Sequence, residues 1–220
     1  MTDYKFTQDW FSWAPPVWEQ LTPLLPGKPG LRTFLEIGSF EGRSMVWIVE
    51  NMMEDGGYID CIDTWQGGEE HGAEDMGTVE ERFDDNLELA SNQSGIFDGD
   101  VARSYFKLKG SSAKILAGIL AEGDDSVDFV GGEVQATKPK YDFIYIDGSH
   151  IARDVLTDAC MAWPLLKQGG IMVFDDYMWG EPRDILHRPK PAIDAFVNIF
   201  AEEVDMVHMG YQLIVRKKGE

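Results

Sequence analysis

The chain has 220 residues, 44% of them hydrophobic, with 39 acidic against 19 basic side chains and a formal net charge of −20. That length and composition suit one globular domain over residues 1–220, large enough to bury its own core. So negative a field disfavours nucleic-acid backbones and anionic membrane surfaces, and neither is expected as a partner; no apolar run reaches the length of a membrane span. The opening Thr2, Asp3, Tyr4 and Lys5 lack the basic-then-apolar order of a secretory leader, so a cytoplasmic location is expected. Cys61 and Cys160 sit inside apolar patterns and read as reduced core residues, with no metal-ligand spacing around them.

Residues 1–32 read as a helical lead-in. Trp10, Phe11 and Trp13 precede Pro15-Pro16, which opens a helix with Val17, Leu21, Leu24 and Leu25 as its apolar stripe. Pro26-Gly27-Lys28-Pro29-Gly30 stops it. The aromatic residues either pack against a sheet, cap a ligand cleft or meet another subunit. Next, the apolar run 33–37 carries Glu36 near its end. Gly38-Ser39-Phe40-Glu41-Gly42 follows, and a helical pattern starts at Arg43 with Met45, Val46, Ile48, Val49 and Met52 in register. A strand, a glycine turn and a helix in that order place a ligand-binding junction at the carboxyl end of the strand. The glycines allow close backbone approach, and the helix start offers free N–H donors. The spacing is E-x-G-x-x-x-G, not the G-x-G-x-x-G of dinucleotide binders. A carboxylate here repels pyrophosphate and suits a ligand bearing an amine or sulfonium.

A second strand, 58–62, ends at Asp63, 21 residues after Gly42. An acid at this point accepts hydrogen bonds from both ribose hydroxyls of a nucleoside, or else caps a turn. The glycine-rich segment 64–72 reads as a flap in which Trp65 and His71 are either ligand contacts or ordinary loop residues. A helix is expected over 79–90, then a third strand over 105–109. Gly110-Ser111-Ser112 precedes a helix over 113–120, with Ser111 or Ser112 as its N-cap. Residues 122–140 read as an insertion, with a hairpin as one form.

The strand 141–146 is almost continuously apolar, as buried parallel strands are. It ends in Asp147, with His150 at the start of a helix expected to run to residue 166 and to stop at Lys167-Gln168-Gly169-Gly170. A fifth strand, 171–174, ends in Asp175-Asp176. Three carboxylates thus close two strands, Asp147 and Asp175 being 28 positions apart. Clustered carboxylates repel unless a proton or cation intervenes. Their hard oxygens fit Mg²⁺ or another divalent cation able to hold a substrate hydroxyl and lower its pKa; alternatively, Asp175 and Asp176 cap a turn. His150, whose ordinary pKa lies near neutrality, is the first candidate general base, with Asp147 second. Residues 178–190 are expected to shape an acceptor pocket, with His187 or Arg188 near substrate. A helix opened by Pro191 and a hairpin around Met209-Gly210 complete the pattern, with His208 structural.

Taken together, LEIGSFEGRS, CIDTW, KGSS, DFIYIDGSH, LLKQGGIMVFDDY and GYQLIV resemble methyltransferase family 24, a branch of the class I S-adenosylmethionine (SAM)-dependent methyltransferases, over most of the chain. The resemblance implies an α/β, Rossmann-like, mostly parallel seven-stranded sheet of order 3-2-1-4-5-7-6 with helices on both faces. It implies SAM along Glu36, Gly38, Ser39, Phe40, Gly42, Arg43 and Ser44, at Asp63, Thr64 and Trp65, near Gly110, Ser111 and Ser112, and facing Asp147. Metal-dependent O-methyltransferases place ligands at positions matching Asp147, Asp175 and Asp176, which points to methyl transfer to a hydroxyl of a small molecule or sugar. A non-catalytic SAM-binding or assembly protein, a nicotinamide-dependent oxidoreductase and a metal-dependent hydrolase are the competing readings. A homo-oligomer is left open.

Overall fold

The computed structural model describes residues 4–68, 71, 76–93, 103–122, 140–180 and 184–219. Its central strands are the apolar runs of the sequence. β1 (Thr33–Ile37) and β4 (Tyr141–Ile146) are buried at every position and pair in parallel, Phe34 opposite Phe143 and Ile37 opposite Ile146. Strands covered on both faces need no polar alternation. β2 (Tyr58–Asp63) and β3 (Ser104–Lys109) extend the parallel sheet on one side, and β5 (Leu166–Phe174) extends it on the other. β6 (Val204–Met209) and β7 (Leu213–Lys217) close it as an antiparallel pair, with β7 antiparallel to β5. The order is β3-β2-β1-β4-β5-β7-β6, the order the resemblance implied.

Alternate residues of each strand feed two cores. Phe34, Phe143 and Tyr145 pack on one face with α1 (Pro15–Trp18), α2 (Arg43–Asn51) and α3 (Val79–Gln93). Leu35, Ile37, Ile144 and Ile146 pack on the other with α4 (Ser112–Glu122), α5 (Ala152–Ala162) and α6 (Lys190–Ile199).

Several boundaries differ from the sequence pattern, each for a local reason. The lead-in helix is one turn, followed by 3₁₀ turns at Thr22–Leu24 and Pro29–Leu31. Pro23 cannot donate to the helix ladder and would collide with the carbonyl four residues back. Leu24, assigned to the apolar stripe, is exposed as a result. α5 stops at Ala162, where Pro164 imposes the 3₁₀ turn Trp163–Leu165. Lys167-Gln168-Gly169-Gly170 is therefore not a helix stop but the irregular opening of β5, with Gly169 at φ +74°. His150 lies in the loop ahead of α5. Cys61 is buried, whereas Cys160 is exposed on α5; both are free thiols. The insertion expected over 122–140 lies, apart from its two end residues, outside the described residues.

The carboxyl edge of the sheet is kept in line by one further hydrogen bond past each strand. Gly38 N donates to Ile62 O (2.8 Å), Asp147 N to Ile37 O (2.8 Å), Asp175 N to Ile146 O (2.9 Å) and Gly110 N to Asp63 O (2.9 Å). Gly38 makes this possible: it has φ +90°, and a Cβ there would lie 1.9 Å from the Asp147 carbonyl oxygen. The first glycine of the turn is thus demanded by the close approach of that turn to the Asp147 carbonyl just past β4, before any ligand is considered. Replacing it breaks both the positive φ and the close approach. Gly38→Ala is expected to lower unfolding free energy by more than about 2 kcal/mol, read as a reduced urea midpoint.

Candidate active site

The glycine turn is shaped from behind by two carboxylates. Asp63 accepts Phe40 N (2.8 Å) on one oxygen and Trp65 N (2.7 Å) on the other. Trp65 Nε1 in turn donates to Phe40 O (2.9 Å). Phe40 (φ +46°) and Trp65 (φ +53°), both in the left-handed region, are held there by this small circuit. Each Asp63 oxygen keeps a further lone pair for a ligand hydroxyl. Gly42, at φ +80°, precedes α2. Glu41 points the other way: it accepts Thr7 N and Thr7 Oγ1 (both 2.6 Å) and pairs with Arg82 Nε (2.5 Å), while its carbonyl takes Asn86 Nδ2 (2.8 Å). It fastens the lead-in and α3 to the turn.

The structure places the remaining turn residues unevenly. Glu36 is fully buried; Ser44 Oγ donates to Oε1, and Oε2 has no hydrogen-bond partner. Gly38 and Ser39 lie in the turn beside it, Ser39 buried. The Arg43 guanidinium sits over the Phe6 ring (4.5 Å) and near Asp9 (3.5 Å), facing the lead-in. Trp65 is buried against Phe83 (4.8 Å), so its ring belongs to the core and not to the cleft. Thr64 Oγ1 accepts Gln66 N (3.2 Å). Of the flap, His71 stacks on Phe40 (5.3 Å), and Trp10 lies against both, 5.2 Å from Phe40 and 6.1 Å from His71; Glu69, Glu70 and Gly72 lie outside the described residues. Ser111 O accepts Ile115 N (3.1 Å), which makes Ser111 the residue capping α4, directly after Gly110 and before Ser112.

Asp147, Asp175 and Asp176 come together as the strand ends required: one carboxylate oxygen from each lies within 4.8 Å of the others. Among the described residues four side chains hold them, beside the backbone N–H of Asp176, which donates to Asp175 Oδ1 (2.7 Å). Tyr145 OH contacts Asp147 Oδ2 (2.9 Å) and also Asp175 Oδ2. Gln212 Nε2 donates to Asp175 Oδ2 (3.0 Å), Tyr211 OH to Asp176 Oδ1 (2.7 Å), and His150 Nε2 lies 2.7 Å from Asp176 Oδ2. Asp176 itself is at φ +55°. Trp179 packs edge-on against the His150 ring (4.5 Å).

Burial first, then the charges of Asp175 and Asp176, push Asp147 well above the ordinary carboxylate range. Burial and the Asp176 charge raise Asp175 to about 6, against the opposing hydrogen bonds from Tyr145 and Gln212. A tyrosine hydroxyl has one proton to give and here meets two carboxyl oxygens. The second contact needs a proton on one acid or a cation shared between them, which agrees with both raised values.

Sequence reasoning located every acid of this cluster and His150, but missed the other residues that hold it. Tyr145 sits two residues before Asp147 on the same strand face, a legible period-two signal. Gln212 is legible only through the fold: the hairpin turn falls at 210–212 instead of at Met209-Gly210, and Gln212 is buried within it. His187 and Arg188, expected near substrate, lie in and just after the 3₁₀ turn Ile185–His187; residues 181–183 are outside the described set. His208 lies within β6.

The sheet order, the glycine turn and the acidic carboxyl edge define a class I methyltransferase fold. The chain belongs to methyltransferase family 24, whose sequence profile, described as a methyltransferase domain, matches residues 35–177; these are SAM-dependent enzymes. Among solved structures, the chain is similar to the O-methyltransferase of Bacillus cereus in complex with SAH, with a TM-score of 0.60 at 16% identity over 97% of this chain and 84% of that one. It is similar to TomG of Streptomyces achromogenes, an O-methyltransferase in tomaymycin synthesis solved with SAM, with a TM-score of 0.61 at 17% identity over 100% and 84%. It also matches MycE of the mycinamycin pathway, solved with Mg and SAH, with a TM-score of 0.56 at 15% identity. The match covers 96% of this chain but 51% of MycE, so this chain spans about half of that protein. At such identities the likeness is one of fold. No curated protein matches the chain by sequence.

Burial, with a smaller push from the Asp63 charge, raises Glu36 from 4.5 to about 7, against the hydrogen bond from Ser44. A carboxyl whose folded pKa exceeds its unfolded value favours the fold while protonated. That contribution is complete below pH 4.5 and is lost as pH rises through 7. Glu36→Gln, which keeps the protonated shape, is expected to gain about 2.5 kcal/mol relative to the parent between pH 5 and pH 8. Urea unfolding of both proteins without ligand across that range checks it; parallel profiles would assign Glu36 an ordinary titration.

Proposed function

We propose that this protein transfers the methyl group of SAM to a hydroxyl oxygen of a small molecule or sugar, with Mg²⁺ or another divalent cation at Asp147, Asp175 and Asp176. The observation that carries this reading is the convergence of those three carboxylates with His150 beside the glycine turn. The donor set suits the cation: three hard oxygens, and a Tyr145 hydroxyl one proton short for the two acids it touches. When bound, such an ion lowers the pKa of a hydroxyl placed on it.

The chain's own residues supply the rest. Glu36, with a buried oxygen lacking a partner, and the turn Gly38, Ser39, Phe40 and Gly42 take the methionine end of SAM. Asp63 takes the ribose on its remaining lone pairs, and Ser111 and Ser112 border the adenine. Arg43, Ser44, Thr64, Trp65 and Gly110 shape this cradle through their contacts with Phe6, Glu36, Gln66, Phe83 and Asp63. Methyl transfer discharges the sulfonium, so the reaction needs alignment and a deprotonated acceptor. His150 receives that proton, and Asp176 at 2.7 Å stabilises the resulting imidazolium. Exposed Met178 and Tyr211, with Trp13 packed edge-on against Tyr211 (5.0 Å), offer an apolar wall to the body of the acceptor.

The test is release of S-adenosylhomocysteine from SAM with a panel of sugars and small phenols, with and without Mg²⁺. Turnover requiring both an acceptor hydroxyl and the cation is the expected result. SAM binding without turnover on any acceptor would favour a non-catalytic SAM-binding protein. On a competent acceptor, His150→Ala is expected to lower kcat by about 100-fold or more while SAM affinity, measured by calorimetry, stays unchanged. Asp175→Asn is expected to abolish the Mg²⁺ dependence.

A further inference from the structure

One cavity among the described residues is set apart from the acidic edge. It lies at the amino end of the sheet, has a volume of about 420 Å³, and is lined by Glu19, Thr22, Pro23, Arg32, Trp47 and Asn51. Arg32 directly precedes β1, and Glu36 lies near that strand's far end, so the two sites are about 13 Å apart along the strand. The volume falls within the range of small-molecule sites.

Arg32 is the unusual member. Only 7% of it is exposed, and its Nε makes no hydrogen bond. In a chain with twice as many acids as bases, its guanidinium enters no ion pair among the described residues. Two other partly buried arginines are treated differently: Arg82 pairs with Glu41, and Arg103 lies 3.3 Å from Asp55. A buried charge is costly unless it is paired, and a guanidinium is a flat fork shaped for a carboxylate or phosphate. The other walls are those of a ligand site. Trp47 is an aromatic surface fixed by an edge contact with Trp18 (5.7 Å) and a tilted one with Phe11 (6.1 Å). Thr22 and Asn51 add a hydroxyl and an amide. Glu19 is exposed on the same pocket and opposes a second negative charge on any ligand.

We propose that this pocket is a binding site for a small organic carboxylate, whose acid group pairs with Arg32 and whose flat or apolar body contacts Trp47. Glu19 selects a monoanion over a phosphate dianion by like-charge repulsion. The site is separate from the methyl-transfer site, and the inference holds whatever acceptor that site uses.

The test is fluorine NMR of the full chain labelled with 5-fluorotryptophan, with the Trp47 signal assigned by Trp47→Phe. The probes are benzoate, phenyl phosphate, inorganic phosphate and neutral benzyl alcohol. Benzoate is expected to shift the Trp47 signal saturably, with at least tenfold weaker binding in Arg32→Gln and severalfold tighter binding in Glu19→Gln. SAM binding should be unchanged in both variants. Equal binding of benzyl alcohol, tighter binding of phenyl phosphate or of inorganic phosphate, or no saturable shift at Trp47 would each overturn the proposal. If Arg32→Gln fails to fold, the exposed Glu19→Gln decides: unchanged or weakened benzoate binding overturns it.

Discussion

Everything at the carboxyl edge depends on how Tyr145 shares one hydroxyl between Asp147 and Asp175. The hydroxyl ends a buried hydrogen-bonded chain that starts in the lead-in: Trp18 Nε1 donates to Gln212 Oε1 (2.8 Å), Gln212 Nε2 donates to Asp175 (3.0 Å), and Tyr145 spans Asp175 and Asp147. Such a network is favourable only when each member is satisfied, because an unpaired polar group in a low-dielectric interior is expensive. Here satisfaction is one positive charge or one proton short. The raised pKa of both acids expresses that shortage, and the cation proposed above would meet it.

This arrangement gives the lead-in a role that composition alone does not suggest. Trp18 is fully buried, packs edge-on against Tyr145 (4.8 Å), and positions Gln212 from the opposite end of the chain. Thr7 is fastened to Glu41, and Lys5 N to Asn86 Oδ1 (2.7 Å), so the segment also braces the glycine turn from outside. The lead-in is therefore part of the scaffold of both halves of the site: the turn through Glu41, and the acidic cluster through Gln212.

The sheet was legible because buried parallel strands write themselves as nearly continuous apolar runs, and β1 and β4, buried at every residue, are interrupted only by Thr33 and Glu36 in the one and Asp142 in the other. The acids were legible because strand ends in a parallel sheet share one edge, and Glu36, Asp63, Asp147 and Asp175 each stand at or next to the end of an apolar run. What stayed hidden were side chains whose roles arise from long-range pairing. Gln212 in a turn, Trp18 in a one-turn helix and Arg32 before β1 carry no periodic signal. Helix ends were misplaced where a proline inside the pattern outweighed the glycines after it, at Pro23 and Pro164. The purpose of Gly38 was also only half legible. The turn motif speaks of ligand approach, whereas the nearest atom that a side chain would strike is the Asp147 carbonyl oxygen.

The central claim is that one edge of the sheet holds SAM on the glycine turn and a divalent cation on the three aspartates. A crystal of the full chain grown with S-adenosylhomocysteine and Mn²⁺, with diffraction recorded at the manganese edge, tests it most directly. The account predicts an anomalous peak coordinated by Asp147, Asp175 and Asp176, with the nucleoside lying from Gly38 to Asp63. Nucleoside bound there with no manganese on the three acids would contradict the cation site. Nucleoside bound elsewhere, or not at all, would contradict the whole assignment of the edge.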